Sequence, residues 1–266
     1  MTASSSTVRR MVKATSRRDE RLGTPDGLTE ALRSARAVTV LTGAGVSAES
    51  GLPTFRDAMT GLWTRFRPED LATPEAFRRD PRLVWEWYAW RRRMAREAQP
   101  NAAHIAITEM ARRVPQFTLI TQNVDGLHQR AGSPDVLELH GSLHRARCVR
   151  EGVTAEEFAT EDLPPRCPRC GWMLRPDVVW FGEALPAGAL DAAVRAAESC
   201  DLFLSVGTSG QVEPAASLVH LAAQAGAVVA TINLDVTPHV AARAYQVNGR
   251  AGEVLPSLFR AAWPRD

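Results

Sequence analysis

A glycine-rich loop after a short apolar run is the first stretch of the sequence whose residue types could do chemistry. Residues 37–41 (Ala-Val-Thr-Val-Leu) are mostly apolar and β-branched, which is typical of a buried strand. Gly43, Gly45 and Ala48 follow with the spacing G-x-G-x-x-A. Glycines let the backbone turn tightly and approach a ligand, and the free amides at a helix start favour an anion. The loop therefore predicts a phosphate cradle for a dinucleotide.

The helix that follows this loop is interrupted early. Gly51 and Pro53 stop it within two turns, whereas the corresponding helix of a dehydrogenase would continue with apolar periodicity. A dehydrogenase would also carry an acidic residue about twenty positions after the loop, and residues 61–63 (Gly-Leu-Trp) stand there instead. The sequence predicts a dinucleotide site on a fold that differs from the dehydrogenase version.

Polar residues recur where further predicted strands end. Ligands in open parallel sheets bind outside the carboxyl ends of the strands. Any one of these residues alone is more simply a turn former, but their recurrence at four strand ends of one sheet predicts a binding edge. The polar residues at these ends are Gln122, Asn123 and Asp125, then His140, then Gly207, Thr208 and Ser209, then Asn233 and Asp235.

His140 is the candidate general base. The pKa of a histidine lies near neutrality, so its ring can take a proton at physiological pH. A position at the end of a strand, beside a cofactor site, suits that role. The other histidines, His104 in a predicted helix and His128 after a predicted strand among them, are interpreted as structural or surface residues.

Three of the four cysteines have the spacing of a metal site. Cys148-x-x-Glu151 is followed, after fifteen residues, by Cys167-x-x-Cys170. Four cysteines could make two disulfides by count, but this clustering favours zinc. Glu151 stands where a fourth thiolate would complete a tetrahedral site. The sequence therefore favours a zinc site and the absence of one about equally, and zinc would have three thiolates and a carboxylate as its ligands. His144 is a more remote fourth ligand, and Cys200 is predicted to be a buried thiol.

Tyr88 and Arg91 lie three apart in a predicted helix and therefore share a face. A phenol beside a guanidinium makes a receptor for a carboxylate, because the arginine offers two parallel donors. The simpler interpretation, an aromatic-rich helix with solvated arginines, is the one that the sequence alone favours.

The succession of elements predicts an α/β fold. Strands at 37–41, 116–121 and 136–139 alternate with helices, and strands at 202–206 and 227–232 follow. This order argues for a doubly wound parallel sheet. Residues 57–116 are predicted to be helical without a clear strand. The final predicted helix begins at Glu253 and holds Pro256 in its first turn, and a further helix is predicted from Pro214.

Composition excludes several classes of protein. The 266 residues fit one large domain or a large domain with a small insert, and the formal charge of +2 gives no reason to expect nucleic acid or a membrane surface as partner. No apolar run approaches the length of a membrane span, and residues 1–20 lack the apolar core of a secretory signal. We therefore expect a cytoplasmic protein. Residues 1–24 are predicted to be a disordered tail, with a transit peptide or a nucleic-acid arm as alternatives. Oligomeric state does not follow from the sequence.

Three motifs in order resemble the sirtuins, the NAD-dependent protein lysine deacylases. They are residues 42–56 (TGAGVSAESGLPTFR), residues 121–128 (TQNVDGLH) and His140-Gly141. The resemblance runs from about residue 30 to about residue 258. It implies a Rossmann-like NAD domain of residues 25–56, 117–140 and 176–266. It also implies a small domain formed by a helical insert (57–116) and a zinc-ribbon-like module (141–175).

The resemblance also implies roles for individual residues. His140 and Asn123 would be catalytic, the histidine helping to deprotonate a ribose hydroxyl after the acyl oxygen has attacked C1′ and released nicotinamide. The products would be free lysine, nicotinamide and O-acyl-ADP-ribose. An acylated peptide would add to a substrate strand that contains Val178, Trp180 and Phe181. The cofactor contacts implied are Gly43, Ala44, Gly45, Ser47, Pro53, Phe55, Arg56, Gln122, Asn123, Asp125, Gly207, Thr208, Ser209, Asn233, Asp235 and Ala251.

Tyr88-x-x-Arg91 resembles the class III sirtuins, which remove succinyl and malonyl groups as well as acetyl. Ala58 agrees with this, because a small residue there would leave the acyl pocket wide. Two alternatives stay open: protein mono-ADP-ribosyltransfer, which uses the same glycosidic cleavage, and NAD binding without turnover. Asn123, Asp125 and His140 argue against the second.

Overall fold

The structure is a computed structural model of the chain. It describes residues 25–53, 64, 66–159, 162–234 and 244–264. In chain order the elements are α1 (Asp26–Ser34), β1 (Ala37–Thr42), α2 (Ala44–Ala48), α3 (Pro74–Arg79), α4 (Pro81–Glu97), α5 (Ala102–Ala111), β2 (Gln116–Thr121), α6 (Leu127–Arg130), β3 (Leu137–Glu138), β4 (Gly141–Cys148), β5 (Thr154–Ala155), β6 (Leu174–Val178), α7 (Ala187–Ser199), β7 (Leu202–Val206), α8 (Ser217–Gln224), β8 (Val228–Asn233), β9 (Ala244–Asn248) and α9 (Ala251–Ala262). A short 3₁₀ turn, Pro68–Asp70, precedes α3.

Six of these strands form a parallel sheet in the order β3-β2-β1-β7-β8-β9. Val40 of β1 pairs with Leu119 on one side and with Leu204 on the other. The chain runs outward from β1 to β2 and β3, and later returns to the other side of β1 with β7. The strand order therefore reverses at β1, and a crevice for ligands opens outside the strand ends at such a point.

Helices cover both faces of the large sheet. Side chains of α1, α5 and α9 pack on one face, where Leu32, Ile107 and Leu255 are fully buried. Helices α7 and α8 pack on the other face through small residues such as Ala197 and Ala222. Because β1 and β7 in the middle of the sheet are buried on both sides, their sequences are nearly continuous apolar runs rather than alternating ones. The predicted doubly wound α/β fold is confirmed.

A second sheet is antiparallel and has the order β5-β4-β6. Helices α3 and α4 pack against it around a third apolar core, in which Trp85 and Trp87 are fully buried. The indole N–H of Trp85 donates to the Leu174 carbonyl oxygen at 2.8 Å and so ties α4 to β6. This smaller unit stands beside the strand ends of the large sheet, because β4 begins directly after β3 and His140.

Several elements differ from the sequence expectations. Helix α5, within the predicted helical insert, packs against α9 and the large sheet. Strand β9 was not predicted at all. The last helix begins at Ala251, so Pro256 lies inside it, and the expectation that this proline falls in the first turn is wrong. Helix α8 begins at Ser217, three residues after Pro214. Among the described residues, no helix is long and apolar enough to cross a membrane.

Candidate active site

The glycine loop between β1 and α2 packs directly on the loop that follows β7. Gly45 N–H donates to the Gly207 carbonyl oxygen at 2.8 Å. A Cβ atom on Gly43 or on Gly45 would lie only 2.8 Å from that same oxygen. The two glycines are therefore required because two backbones meet here, whatever else the loop binds. Gly207 itself has a φ of +60°, and a Cβ there would lie 2.5 Å from the Val46 nitrogen.

Helix α2 is as short as the sequence indicates, with five residues, Ala44–Ala48. The chain turns back at its end, where Gly51 has a φ of +81°. The loop backbone at Ala44 and Gly45 is half-buried and faces the same crevice as the ends of β2 and β7. Pro53 is the last described residue before a gap in the described part of the chain.

Ser47, Asn123 and Asp125 form one buried hydrogen-bonded group. The Ser47 hydroxyl donates to Asp125 Oδ2 at 2.8 Å. The Asn123 amide donates to Ser47 Oγ at 3.1 Å and to the Gly43 carbonyl oxygen at 3.0 Å. Asp125 also accepts the Leu127 N–H at 2.9 Å. The three side chains thus connect the glycine loop to the end of β2 with their geometry fixed.

The ends of β2, β7 and β8 are linked in the same way. The Gln122 amide donates to Thr208 Oγ1 at 2.9 Å, and the Asn233 amide donates to the Thr208 carbonyl oxygen at 3.0 Å. Ser209 is exposed next to them, and Ala251 is buried at the start of α9. The structure therefore brings together, at one edge of the sheet, Gln122, Thr208 and Asn233, which the sequence placed at separate strand ends.

His140 is held by a single hydrogen bond that fixes its tautomer. Its Nδ1 lies 2.9 Å from the Gln122 carbonyl oxygen. A carbonyl only accepts, so Nδ1 carries the hydrogen and Nε2 is the nitrogen able to take a proton. Burial lowers the pKa of His140, and the hydrogen bond to Gln122 only partly offsets this. The ring is therefore neutral at neutral pH, which is the form a base needs.

A chain of hydroxyls behind Asn123 was missed by sequence reasoning. His128 Nε2 lies 2.9 Å from Thr42 Oγ1, which lies 2.8 Å from Thr121 Oγ1. Thr121 Oγ1 in turn accepts the backbone N–H of Asn123 at 3.0 Å. Thr42 and Thr121 end two adjacent paired strands, and that position is the sequence signal that could have revealed the chain. His128 is fully buried, so its structural interpretation is confirmed.

The two other histidines near the site also have structural contacts. His104 is fully buried and its Nδ1 accepts the N–H of Asn101, which caps α5. His144 Nε2 lies 2.8 Å from the Asp125 carbonyl oxygen. That contact runs beside Gly126, where φ is +75° and a Cβ would lie 3.0 Å from the His144 ring.

Tyr88 and Arg91 meet on one face of α4, as their spacing indicates. Tyr88 is 2% exposed, and the Arg91 guanidinium lies 5.5 Å from the centre of its ring. Burial lowers the pKa of Arg91, while the charge of Asp125 and a hydrogen bond with Tyr88 raise it in part. The Trp180 indole N–H donates to the Tyr88 hydroxyl oxygen at 3.0 Å, and the N–H of the neighbouring Val179 donates to the His140 carbonyl oxygen at 2.9 Å. The phenol–guanidinium pair therefore lies close to the edge of the large sheet at His140.

The segment from Val178 to Glu183 borders this pair. Val178 and Trp180 are buried, whereas Phe181 is 47% exposed. Val179 N–H donates to the His140 carbonyl oxygen at 2.9 Å, and Phe181 N–H donates to the Ala72 carbonyl oxygen at 3.0 Å. Both N–H groups are therefore already paired inside the protein.

The cysteine cluster forms a compact donor set. One ligand atom each from Cys148, Glu151, Cys167 and Cys170 lies within 4.8 Å of the others, and the Cys148 and Cys170 sulfurs are 3.5 Å apart. Zinc–sulfur bonds of about 2.3 Å in a tetrahedron need sulfurs about 3.8 Å apart, so the set fits zinc. The cysteines are free thiols rather than disulfides, and Cys200 is buried as predicted.

This cluster lies away from His140. Cys148 ends β4 opposite Leu174, whereas Gly141, next to His140, pairs with Val178 four residues further along β6, so the two ends of β4 are roughly 13 Å apart at the usual rise per residue. Glu151 also forms an ion pair with Arg169 at 3.3 Å. A metal here would hold β4 to the turn around Cys167 and Cys170 and would take no part in chemistry at His140.

Four of the site residues named from the sequence lie outside the described residues: Phe55, Arg56, Ala58 and Asp235. Residues 61–63 lie outside them as well. The predicted tail, residues 1–24, lies outside them as well.

The architecture places the protein among nucleotide-binding enzymes of the Rossmann-like class. A model of the Sir2 family matches residues 43–214. The NAD-dependent protein deacylase 1 of Pseudomonas aeruginosa is 53% identical in an alignment of 246 residues that covers 89% of this chain and 98% of that protein. The match spans more than half of the chain, and the relative is covered almost completely. The protein belongs to the Sir2 family.

Solved structures agree with this assignment. A Sir2 homolog in complex with NAD has a TM-score of 0.84 at 46% sequence identity, covering 90% of this chain and 94% of that one. A Sir2 protein bound to an acetylated peptide has a TM-score of 0.78 at 29% identity, covering 88% of this chain and 96% of that one. These complexes hold NAD and an acetylated peptide on the same fold.

Proposed function

We propose that this protein removes succinyl and malonyl groups, as well as acetyl, from lysine side chains of other proteins. The coarser statement follows from the family and its relatives: the chain is an NAD-dependent protein deacylase. The proposal adds the acyl class, the products and the residues that act. The observation that carries it is the position of the buried Tyr88 and the half-buried Arg91 beside the polar edge that holds His140.

The polar edge suits NAD residue by residue. The glycine loop would take the pyrophosphate, Ser209 and Asn233 would approach the adenosine, and Gln122, Asn123 and Asp125 would surround the nicotinamide ribose. NAD supplies an electrophilic C1′ carbon, with nicotinamide as its leaving group. The buried carboxylate of Asp125 offers a fixed negative charge near the positive charge that grows there, and Ser47 and Asn123 keep it in place.

His140 would act as the base. Its Nδ1 hydrogen is engaged by Gln122, so a substrate hydroxyl can lose its proton only to Nε2. The neutral ring needs no prior deprotonation, because burial holds its pKa below the ordinary value. By taking this proton, His140 would activate the ribose hydroxyl toward the acyl carbon. One water would be consumed as the acyl carbon–nitrogen bond breaks, and the products would be free lysine, nicotinamide and O-acyl-ADP-ribose.

The acyl pocket would be selective for a negatively charged chain end. Arg91 can only donate hydrogen bonds, and burial raises the pKa of Tyr88, so the phenol keeps its proton at neutral pH. A succinyl or malonyl group ends in a carboxylate, which only accepts. A desolvated guanidinium gains more from such a partner than a solvated one.

Zinc would have a structural role in the small sheet. We infer that Cys148, Cys167, Cys170 and Glu151 hold it, since their ligand atoms form one compact set. A closed four-ligand site contributes to folding and leaves no open position for catalysis.

The test uses one peptide sequence carrying acetyl- or succinyl-lysine, incubated with the protein with and without NAD and followed by mass spectrometry. We expect NAD-dependent appearance of free lysine peptide and O-acyl-ADP-ribose, and loss of both with His140→Ala. The peptide or protein gaining the mass of ADP-ribose would instead favour a mono-ADP-ribosyltransferase. NAD binding without any product would favour a sensor.

A further inference from the structure

Trp180 is buried where the 178–183 segment meets Tyr88 of α4. It is 3% exposed, and its ring packs at 5.3 Å from the ring of Phe77. Its indole N–H donates to the Tyr88 hydroxyl oxygen at 3.0 Å, and both groups are buried. The bond joins a residue of the 178–183 segment to a residue of α4 that is 92 positions away in the chain.

The hydroxyl of Tyr88 has a limited set of hydrogen-bonding positions. A phenol oxygen accepts through its lone pairs and donates one hydrogen. The Trp180 indole N–H occupies one accepting position. The Arg91 guanidinium, 5.5 Å from the centre of the Tyr88 ring, can only donate, so it offers no acceptor to the hydroxyl hydrogen. The hydroxyl hydrogen is therefore the part of Tyr88 that remains to meet a ligand.

We propose that Trp180 is a positioning residue for acyl specificity: its indole N–H turns the Tyr88 hydroxyl into a donor, so the pocket selects an acyl chain that ends in an acceptor-only group. The inference rests on the proposed function, because it takes Tyr88 and Arg91 as the groups that meet the acyl end. It goes further by naming the residue that makes the Tyr88 hydroxyl a hydrogen-bond donor.

The indole is itself held in place from its other side. The Arg175 guanidinium lies 3.4 Å from the centre of the Trp180 ring. Arg175 donates to Glu183 Oε2 at 2.8 Å and to the Val178 carbonyl oxygen at 2.9 Å. Glu183 Oε2 also accepts the backbone N–H of Trp180 at 2.9 Å. Rotation of the ring away from Tyr88 would therefore break its cation–π contact with Arg175.

The chemistry of the ligand follows from this arrangement. Both Tyr88 and Arg91 present hydrogens to the pocket, so a carboxylate satisfies them with its free lone pairs. A carboxamide of the same length would place its NH₂ group against these donors. A site that leaves such groups unpaired in a desolvated pocket discriminates strongly against the wrong partner.

The test compares two lysine peptides that differ only at the acyl end, succinyl and succinamoyl, in which the carboxylate is replaced by a carboxamide. The variant is Trp180→Phe, which keeps an aromatic ring under Arg175 and removes the N–H. Ratios of kcat/KM between the two peptides are measured, so that any common effect on peptide binding cancels. We expect the wild type to favour succinyl, and Trp180→Phe to narrow that ratio about tenfold, since one buried hydrogen bond to a charged-ligand site is lost.

Repeating the measurement in the Tyr88→Phe variant separates an effect on the Tyr88 hydroxyl from a general effect of Trp180→Phe on the structure. In Tyr88→Phe, the hydroxyl is absent, so adding Trp180→Phe should leave the succinyl-to-succinamoyl ratio within twofold of the single variant. If Trp180→Phe alone leaves the succinyl-to-succinamoyl ratio of kcat/KM unchanged in the protein that keeps Tyr88, the inference is overturned. An equal fall of the ratio with and without the Tyr88 hydroxyl would also overturn it.

Results that contradict the proposed function can be distinguished from results that contradict only the role of Trp180. If wild type removes acetyl but not succinyl, and Arg91→Met changes neither, the acyl pocket itself is wrong and the role of Trp180 falls with it. If Arg91→Met abolishes the preference for succinyl while Trp180→Phe does not affect it, the proposed function stands and only the inference about Trp180 is overturned.

Discussion

Two features of the folded chain set the protonation state of His140. The hydrogen bond to Gln122 fixes the hydrogen on Nδ1, and burial favours the neutral form. The sequence could suggest this histidine because its pKa is near neutrality, but the tautomer depends on a carbonyl 18 residues away that meets the ring only in the folded chain. Its catalytic role, like those of the other site residues, stays a prediction.

The pH dependence of activity tests this account of His140. The neutral ring is the active form, so kcat/KM should fall only as pH drops through the lowered pKa of the ring. We expect kcat/KM for an acetyl-lysine peptide to stay level from pH 7.5 to the ordinary histidine value of 6.5, with its acid limb below that. A midpoint of the limb above 6.5 would show that burial does not control this group.

Arg91 carries the prediction for acyl selectivity. Arg91→Met keeps much of the side-chain volume but removes the charge and the donors that a carboxylate needs. We expect kcat/KM for a succinyl-lysine peptide to fall about a hundredfold relative to acetyl, the scale of a charge-assisted contact in a desolvated site. Arg93→Met, at an exposed position of the same helix, is the matched control. Equal losses for both acyl groups would refute the assignment.

His128 makes stability depend on pH. Burial lowers its pKa to about 3, so in acid the unfolded chain takes up a proton that the folded chain refuses. Stability therefore falls as pH drops below 6.5, and by pH 5 this one residue costs about 2 kcal/mol. His128→Gln should lose about that much less free energy of unfolding between pH 7.5 and pH 5, as measured by urea denaturation. An identical pH-dependent loss in both proteins would argue against a buried neutral ring.

Among the elements, the parallel strands were the most predictable. Strands β1, β2 and β7 are nearly continuous apolar runs because helices cover both of their faces. Strand β9 was missed because it lies at the edge of the sheet and mixes polar with apolar residues. Strand β6 contains Arg175 and Asp177, and its pairing with β4 rests on ion pairs from Asp177 to arginines some 30 residues away, which no local pattern reveals.

The zinc-ribbon-like module carries a prediction at this scale. We expect one zinc per chain, lost to a strong chelator together with several degrees of thermal stability. Glu151→Gln should weaken zinc binding at least tenfold, since it removes a charged ligand, and Glu151→Cys should strengthen it. Glu156→Gln, exposed in the same module, is the control. Elemental analysis of the purified protein that finds no stoichiometric zinc would exclude the site.

In the whole molecule, the candidate site lies where three parts of the chain converge. The glycine loop, the ends of β2, β7 and β8, and the small sheet with α4 all border one crevice at the reversal of strand order. The sequence predicted the large sheet and its polar edge from local patterns. It could not predict that the small unit would set Tyr88 and Trp180 against that edge, because their contact joins distant segments through a single buried hydrogen bond.

One competition experiment tests the central claim most directly. Acetyl- and succinyl-lysine peptides of the same sequence are mixed at equal concentration with the protein and NAD, and the loss of each is followed by mass spectrometry. The account predicts that both are deacylated only when NAD is present, and that succinate is lost faster. Acetate lost alone would contradict the Tyr88–Arg91 pocket, and no NAD-dependent loss of either acyl group would contradict the proposed function as a whole.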